Sequence, residues 1–158
     1  MKKKIEIFLN EVATINELGK NDRELIKFAK KATDNAYAPY SGFNVGVAVR
    51  LSDEQIITGN NRENAAFPSG ICAERTAISY AGANFPGKII ETIAICARTE
   101  NGFTRDPVPP CGTCRQVMAE EEDRNGNNIR IILFGSKKIQ IISLSTKKSE
   151  KTVRLKRD

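Results

Sequence analysis

Cys72-Ala-Glu-Arg-Thr-Ala-Ile-Ser-Tyr-Ala81 is a run of good helix formers closed by Gly82, and Ile89-Ile-Glu-Thr-Ile-Ala-Ile-Cys-Ala97 follows it as an apolar strand. A strand that is apolar throughout is buried on both faces, so helices are expected on both sides of its sheet. Upstream, Phe43-Asn-Val-Gly-Val-Ala-Val49 alternates and is rich in β-branched residues, and Ser52-Asp-Glu54 separates it from Gln55-Ile-Ile-Thr58, which reads as a β-hairpin. A loop from Gly59 to Gly70 joins this hairpin to the helix. Before the hairpin, Asn21-Asp-Arg-Glu24 supplies a polar cap for a helix with apolar positions at Leu25, Phe28, Ala29, Ala32 and Ala36, stopped by Pro39. After Ala97, Pro107 to Pro110 forms a rigid loop. A compact helix then runs from Cys111 to about Glu122, the turn Asn125-Gly-Asn-Asn128 breaks it, and strands follow at Ile129–Phe134 and Lys138–Ile142. This order predicts a single-domain α/β/α sandwich with a mixed five-stranded sheet over residues 1–142. Ser143 to Asp158 is polar and basic and is expected to be a disordered tail.

The 158 residues suit one domain, and 40% hydrophobic with 28% charged residues is a globular balance. No apolar run approaches the roughly 20 residues of a membrane span. The start, Met1-Lys-Lys-Lys-Ile-Glu-Ile-Phe8, is interrupted by Glu6, Asn10 and Glu11 where a signal peptide would be apolar, so the expected location is the cytoplasm. Net charge is +6, but Lys2 to Lys4 and the segment from Lys147 to Asp158 carry all of the excess, leaving −1 between them. The basic character belongs to the two ends, and no aromatic-studded motif accompanies it, so neither a nucleic-acid nor a membrane partner is expected.

There is no histidine, which removes every His base, His triad and His metal ligand. Cys96 lies inside an apolar run and is expected to be core. Cys111 and Cys114 flank two residues at the start of a helix, a spacing shared by redox dithiols and by metal sites. Cys72 opens another helix upstream. Three thiolates at two helix N-termini make a zinc site with one position left for water. Glu74 stands in the same turn as Cys72, where a general acid/base would serve hydrolysis. In a purely structural zinc module, the competing assignment, that carboxylate would have no role.

Four segments, Ala38-Pro-Tyr-Ser-Gly-Phe-Asn-Val-Gly-Val-Ala48, Asn61-Arg-Glu-Asn-Ala65, Cys72-Ala-Glu-Arg-Thr-Ala77 and Pro110-Cys-Gly-Thr-Cys-Arg-Gln116, resemble the small cytidine deaminases with three-cysteine zinc sites. The resemblance runs from about Asp22 to Ile142. It implies Zn²⁺ on Cys72, Cys111 and Cys114, with Glu74 moving protons from the attacking water to N3 and to the departing amine. Cytidine and deoxycytidine would become uridine and deoxyuridine in pyrimidine salvage, on a homotetramer. It further implies that Asn61 and Glu63 bind the ribose hydroxyls, that Phe43 and Ala73 contact the substrate, and that Arg75 and Gln116 support the thiolates. Two other readings share parts of this pattern: a deaminase of another aminopyrimidine nucleoside of the blasticidin type, and a non-catalytic zinc-bearing module that binds nucleic acid. Members of this family usually finish with an apolar segment ending in an aromatic; Ser143 to Asp158 contains neither proline nor aromatic, so weakened activity is expected.

Overall fold

The computed structural model describes residues 9–143. Its strands are β1 (Leu9–Val12), β2 (Asn44–Leu51), β3 (Ile56–Asn60), β4 (Ile90–Thr99), β5 (Gly102–Phe103), β6 (Arg130–Phe134) and β7 (Ile139–Ile142). Its helices are α1 (Lys20–Ala32), α2 (Ala73–Asn84) and α3 (Gly112–Asn125). One sheet has the order β1-β7-β6-β4-β2-β3, with β5 paired to β4. β4 and β6 are parallel, and the other pairs are antiparallel.

Side chains along each central strand alternate between two cores. Val47, Val49 and Leu51 of β2, with Ile93 and Ile95 of β4, pack under Ala73, Ala77, Ile78 and Ala81 of α2 and Met118 of α3. Ala48, Ala94 and Cys96 face the other way, against Leu25, Ile26 and Ala29 of α1. The expected α/β/α layering is therefore present, and Cys96 is core as expected, its thiol pushed up to about 12 by burial. Each fully buried aliphatic side chain contributes ~1.5–3 kcal/mol, so these two clusters dominate the stability. Two charged contacts orient α1 over the sheet: Arg130 holds Asp22 with both guanidinium nitrogens, and Arg50, buried in β2, reaches Glu24 and Glu54 at 2.9 Å each.

The sheet has seven strands rather than five. β1 and β5 escape a reading of hydrophobic pattern because backbone pairing holds them: Leu9–Val12 is largely exposed and bonds along β7, and β5 is two residues against β4. Helix ends also move. α1 starts at Lys20 behind Gly19, and Asn21-Asp22 lies in its first turn, where Asp22 also favours the positive pole. It stops at Ala32, seven residues before Pro39, because the Thr33 hydroxyl donates to the Lys30 carbonyl at 2.6 Å and the chain tightens into a 3₁₀ turn. Ile26 replaces Phe28 on the buried face, Phe28 being 40% exposed. α2 runs through Gly82 to Asn84, since continuing the helix packs Phe85 against the core. All of the expected tail except Ser143 lies outside the described residues.

Gly59 sets how closely α2 approaches the sheet. A Cβ there would lie 2.6 Å from both the Ala73 carbonyl oxygen and the Ala77 amide nitrogen, so only glycine lets β3 touch the first turns of α2. Gly59→Ala is expected to cost about 1–3 kcal/mol by overpacking, read as a lower urea midpoint. Gly82→Ala, where the added atom meets nothing within 4 Å, is expected to hold stability or gain up to about 1 kcal/mol. Equal midpoints for the two variants would refute the close-approach account.

Candidate metal centre

β3 and β4 are both antiparallel to β2, so they run in the same direction and end at the same edge of the sheet. The next helix after β3 is α2, and the next after β4, beyond the short β5, is α3. Cys72 is the N-cap of α2 and Cys111 the N-cap of α3, each with extended backbone, while Cys114 lies one turn into α3. The loop before α2 is fastened on both sides. Arg62 and Ile71 exchange backbone hydrogen bonds of 2.9 and 3.0 Å, and the Thr76 hydroxyl donates to the carbonyls of Asn60 and Cys72, both at 3.2 Å.

The three sulfurs consequently meet across 39 residues of sequence. Cys72 Sγ lies 3.9 Å from Cys111 Sγ, which lies 3.5 Å from Cys114 Sγ, and all three fall within 4.8 Å of one another. Thiolates bonded to a tetrahedral zinc at about 2.3 Å would stand ~3.8 Å apart, so the donor set and its spacing fit that ion. Cys114 is buried, Cys72 is intermediate and Cys111 is exposed at the rim. The Cys114 amide faces the Cys111 sulfur and holds that thiol below its usual range, whereas burial, reinforced by the Glu74 charge, pushes the Cys114 thiol up.

Glu74 is 5% exposed. Burial raises its carboxyl above the ordinary carboxylate range, against the opposing influence of its own backbone amide and the Cys114 thiol. A carboxyl so placed keeps its proton to higher pH than an exposed one. Arg75 lies beside the thiols, as the sequence suggested. Its Nη2 is 3.9 Å from Cys72 Sγ and 3.5 Å from the Gly70 carbonyl oxygen, and the Cys72 sulfur raises its pKa. Its Nε is buried without a partner, a donor left over beside the thiol cluster. Gln116 is exposed and makes no hydrogen bond to the thiols.

The other expected site residues lie at the start of α2, just after β3 and just before β2. Ala73 is buried as the first residue of α2, so its side chain belongs to the core and its first-turn amide is the group left to offer. Asn61 uses its side chain on the strand beside it, accepting from the Val45 amide at 2.8 Å and donating to the Phe43 carbonyl at 2.9 Å. Glu63 accepts from the amides of Tyr40 and Ser41 and from the Ser41 hydroxyl, which together hold its carboxyl below the usual range, the hydroxyl foremost. Phe43 is half-buried just before β2. Reasoning on sequence missed Ser41 and Thr76 as members of this neighbourhood. A Tyr-Ser-Gly turn ahead of a strand carried a faint signal for the first, and a helical threonine carried none for the second.

Residues 19–125 match the family model of the cytidine and deoxycytidylate deaminase zinc-binding region, and the chain belongs to that family. It is 47% identical over 100 residues to a cytidine deaminase of Halalkalibacterium halodurans, covering 63% of this chain and 71% of that protein. A cytidine deaminase of Sporosarcina psychrophila is 43% identical over 97 residues, covering 61% and 67%. Among solved structures, cytidine deaminase from Burkholderia pseudomallei superposes with a TM-score of 0.64 at 37% identity, covering 76% of this chain and 90% of that one.

Elemental analysis of the full chain is expected to find one zinc per chain, falling to a small fraction in Cys72→Ala and Cys114→Ala while Cys96→Ala retains it. Zinc retained without Cys114 would refute the three-thiolate assignment.

Proposed function

We propose that the chain, through residues 1–142, hydrolyses the exocyclic amine of free cytidine and deoxycytidine, yielding uridine or deoxyuridine and ammonia, in the cytoplasmic salvage of pyrimidines. The observation that carries this reading is the buried Glu74 carboxyl set beside three converging thiols at two helix N-termini. Bound by Cys72, Cys111 and Cys114, zinc supplies a Lewis acid that makes water nucleophilic at neutral pH. Glu74 takes a proton from the attacking water and delivers it to N3 of the ring, then takes the remaining proton from the hydroxyl formed at C4 and passes it to the amine, which leaves as ammonia. Arg75 offsets part of the negative charge of three thiolates, which would otherwise oppose loss of that proton. Ala73 offers its first-turn amide to the ring, Phe43 packs on the substrate, and Asn61 with Glu63 receives the sugar.

The assembly we propose is a homotetramer. Supporting it, Tyr37, Tyr40 and Phe67, all from the segments that border the site, are 50%, 66% and 91% exposed in the single chain. Aromatic rings left in water at this density commonly mark a surface that a partner covers. Light scattering is expected to give about 70 kDa, four times the 17.5 kDa chain. A mass of one chain at assay concentration would refute the assembly.

Zinc-loaded protein is expected to convert cytidine to uridine, followed by ultraviolet absorbance, and Glu74→Gln to lower kcat by at least about 100-fold with zinc content unchanged. Undiminished turnover in Glu74→Gln would remove the carboxyl from the chemistry. No turnover in the zinc-loaded wild type would favour a structural metal module.

A further inference from the structure

Glu63 has four acceptor positions as a carboxylate, two on each oxygen. The Tyr40 amide at 2.9 Å and the Ser41 amide at 3.3 Å occupy both positions on Oε2, and the Ser41 hydroxyl, at 2.5 Å, occupies one on Oε1. One acceptor position remains, on Oε1. The same Ser41 oxygen also accepts from the Phe43 amide at 3.0 Å, so its own orientation is fixed by the backbone entering β2. Gly42, at φ 64°, adopts the left-handed conformation that lets the turn fold back, with its amide bonded to the Ala38 carbonyl at 2.9 Å. On the opposite side Glu63 is held through its own amide, which donates to the Tyr37 carbonyl at 2.7 Å.

Resting on the reading that Glu63 receives the sugar, we infer that Ser41 is a positioning residue that aims the single open acceptor position of Glu63 at one sugar hydroxyl. A glutamate has three rotatable side-chain bonds, and holding them beforehand removes the ordering cost from substrate binding. With only one position open, Glu63 takes one hydroxyl. The two vicinal hydroxyls of ribose are not gripped equally, and a sugar lacking one of them remains a substrate. Ser41 lies in the turn before β2 and has no part in the proton transfers, so its influence falls on binding of the sugar and leaves the step at C4 unaltered.

The test compares wild type, Ser41→Ala and Ser41→Thr, all full-length and zinc-loaded, on cytidine and on 2′,3′-dideoxycytidine, which has no ring hydroxyl for Glu63 to receive. Ser41→Ala is expected to raise KM for cytidine about five- to tenfold, the effect of one charge-assisted hydrogen bond's geometry, with kcat within about twofold. Its kcat/KM for the dideoxy substrate stays at the wild-type value, and Ser41→Thr restores KM for cytidine. Separately from turnover, NMR of carboxyl-labelled glutamate is expected to show the Glu63 resonance titrating at higher pH in Ser41→Ala than in wild type. Equal losses on both substrates, an unchanged KM, or an unmoved Glu63 titration would each overturn the inference. Wild type that fails to deaminate cytidine overturns the functional reading itself, an outcome the NMR arm separates from a failure of Ser41 to hold Glu63.

Discussion

Two strands running the same way on either side of a third make the site. β3 and β4 flank β2, both antiparallel to it, and each is followed by a helix, α2 after β3 and, beyond the short β5, α3 after β4. The positive poles of α2 and α3 therefore lie together, and the residues at those two starts are cysteines. Thiolate is the form that binds zinc, and at the start of α3 the Cys114 amide holds the Cys111 thiol below its usual range. Gly59 sets the closeness of this arrangement, because a larger residue would lift α2 from β3 and carry Cys72 and Glu74 with it.

Residues proposed to receive the substrate also hold the protein together. The Asn61 side chain pairs with the backbone of Phe43 and Val45 as a neighbouring strand would, and Glu63 gathers the turn at Tyr40 and Ser41. The segment after β3 is thus tied to the segment before β2 at two places, and through Arg62 to Ile71 and on to Cys72. Asn61, Glu63 and the first metal-ligand candidate, Cys72, therefore share one hydrogen-bonded frame.

Electrostatics separates the roles of neighbouring groups. Donors surround the half-buried Glu63 and hold its carboxyl below the usual range; Glu74 is buried beside sulfur and its carboxyl is pushed up. One carboxylate is fitted to accept hydrogen bonds and the other to exchange protons. Arg75 brings a permanent positive charge to the same thiols, which three negative sulfurs on a divalent ion require.

Much was legible in the chain. Strand alternation at Val45 to Val49, the apolar run at Ile93 to Ala97 and helix-forming stretches after Cys72 and Cys111 named the layers and the face of each central strand. Cys72, Glu74, Cys111 and Cys114 stood out by residue type and spacing, because metal chemistry needs those few side chains. Hydrophobic pattern could not reveal β1 and β5, which backbone hydrogen bonds hold without burying side chains. Nor could it show that Thr33 ends α1 by taking the Lys30 carbonyl, or that α2 passes Gly82 so that Phe85 reaches the core. The sequence by itself determined which chemistry the chain carries, since donor atoms and the periodicity of burial are local properties of residues. Only the tertiary structure decided that Ser41 meets Glu63, 22 positions away, and that the three sulfurs fall within 4.8 Å of one another. Those facts depend on strand direction and register, which no local segment contains.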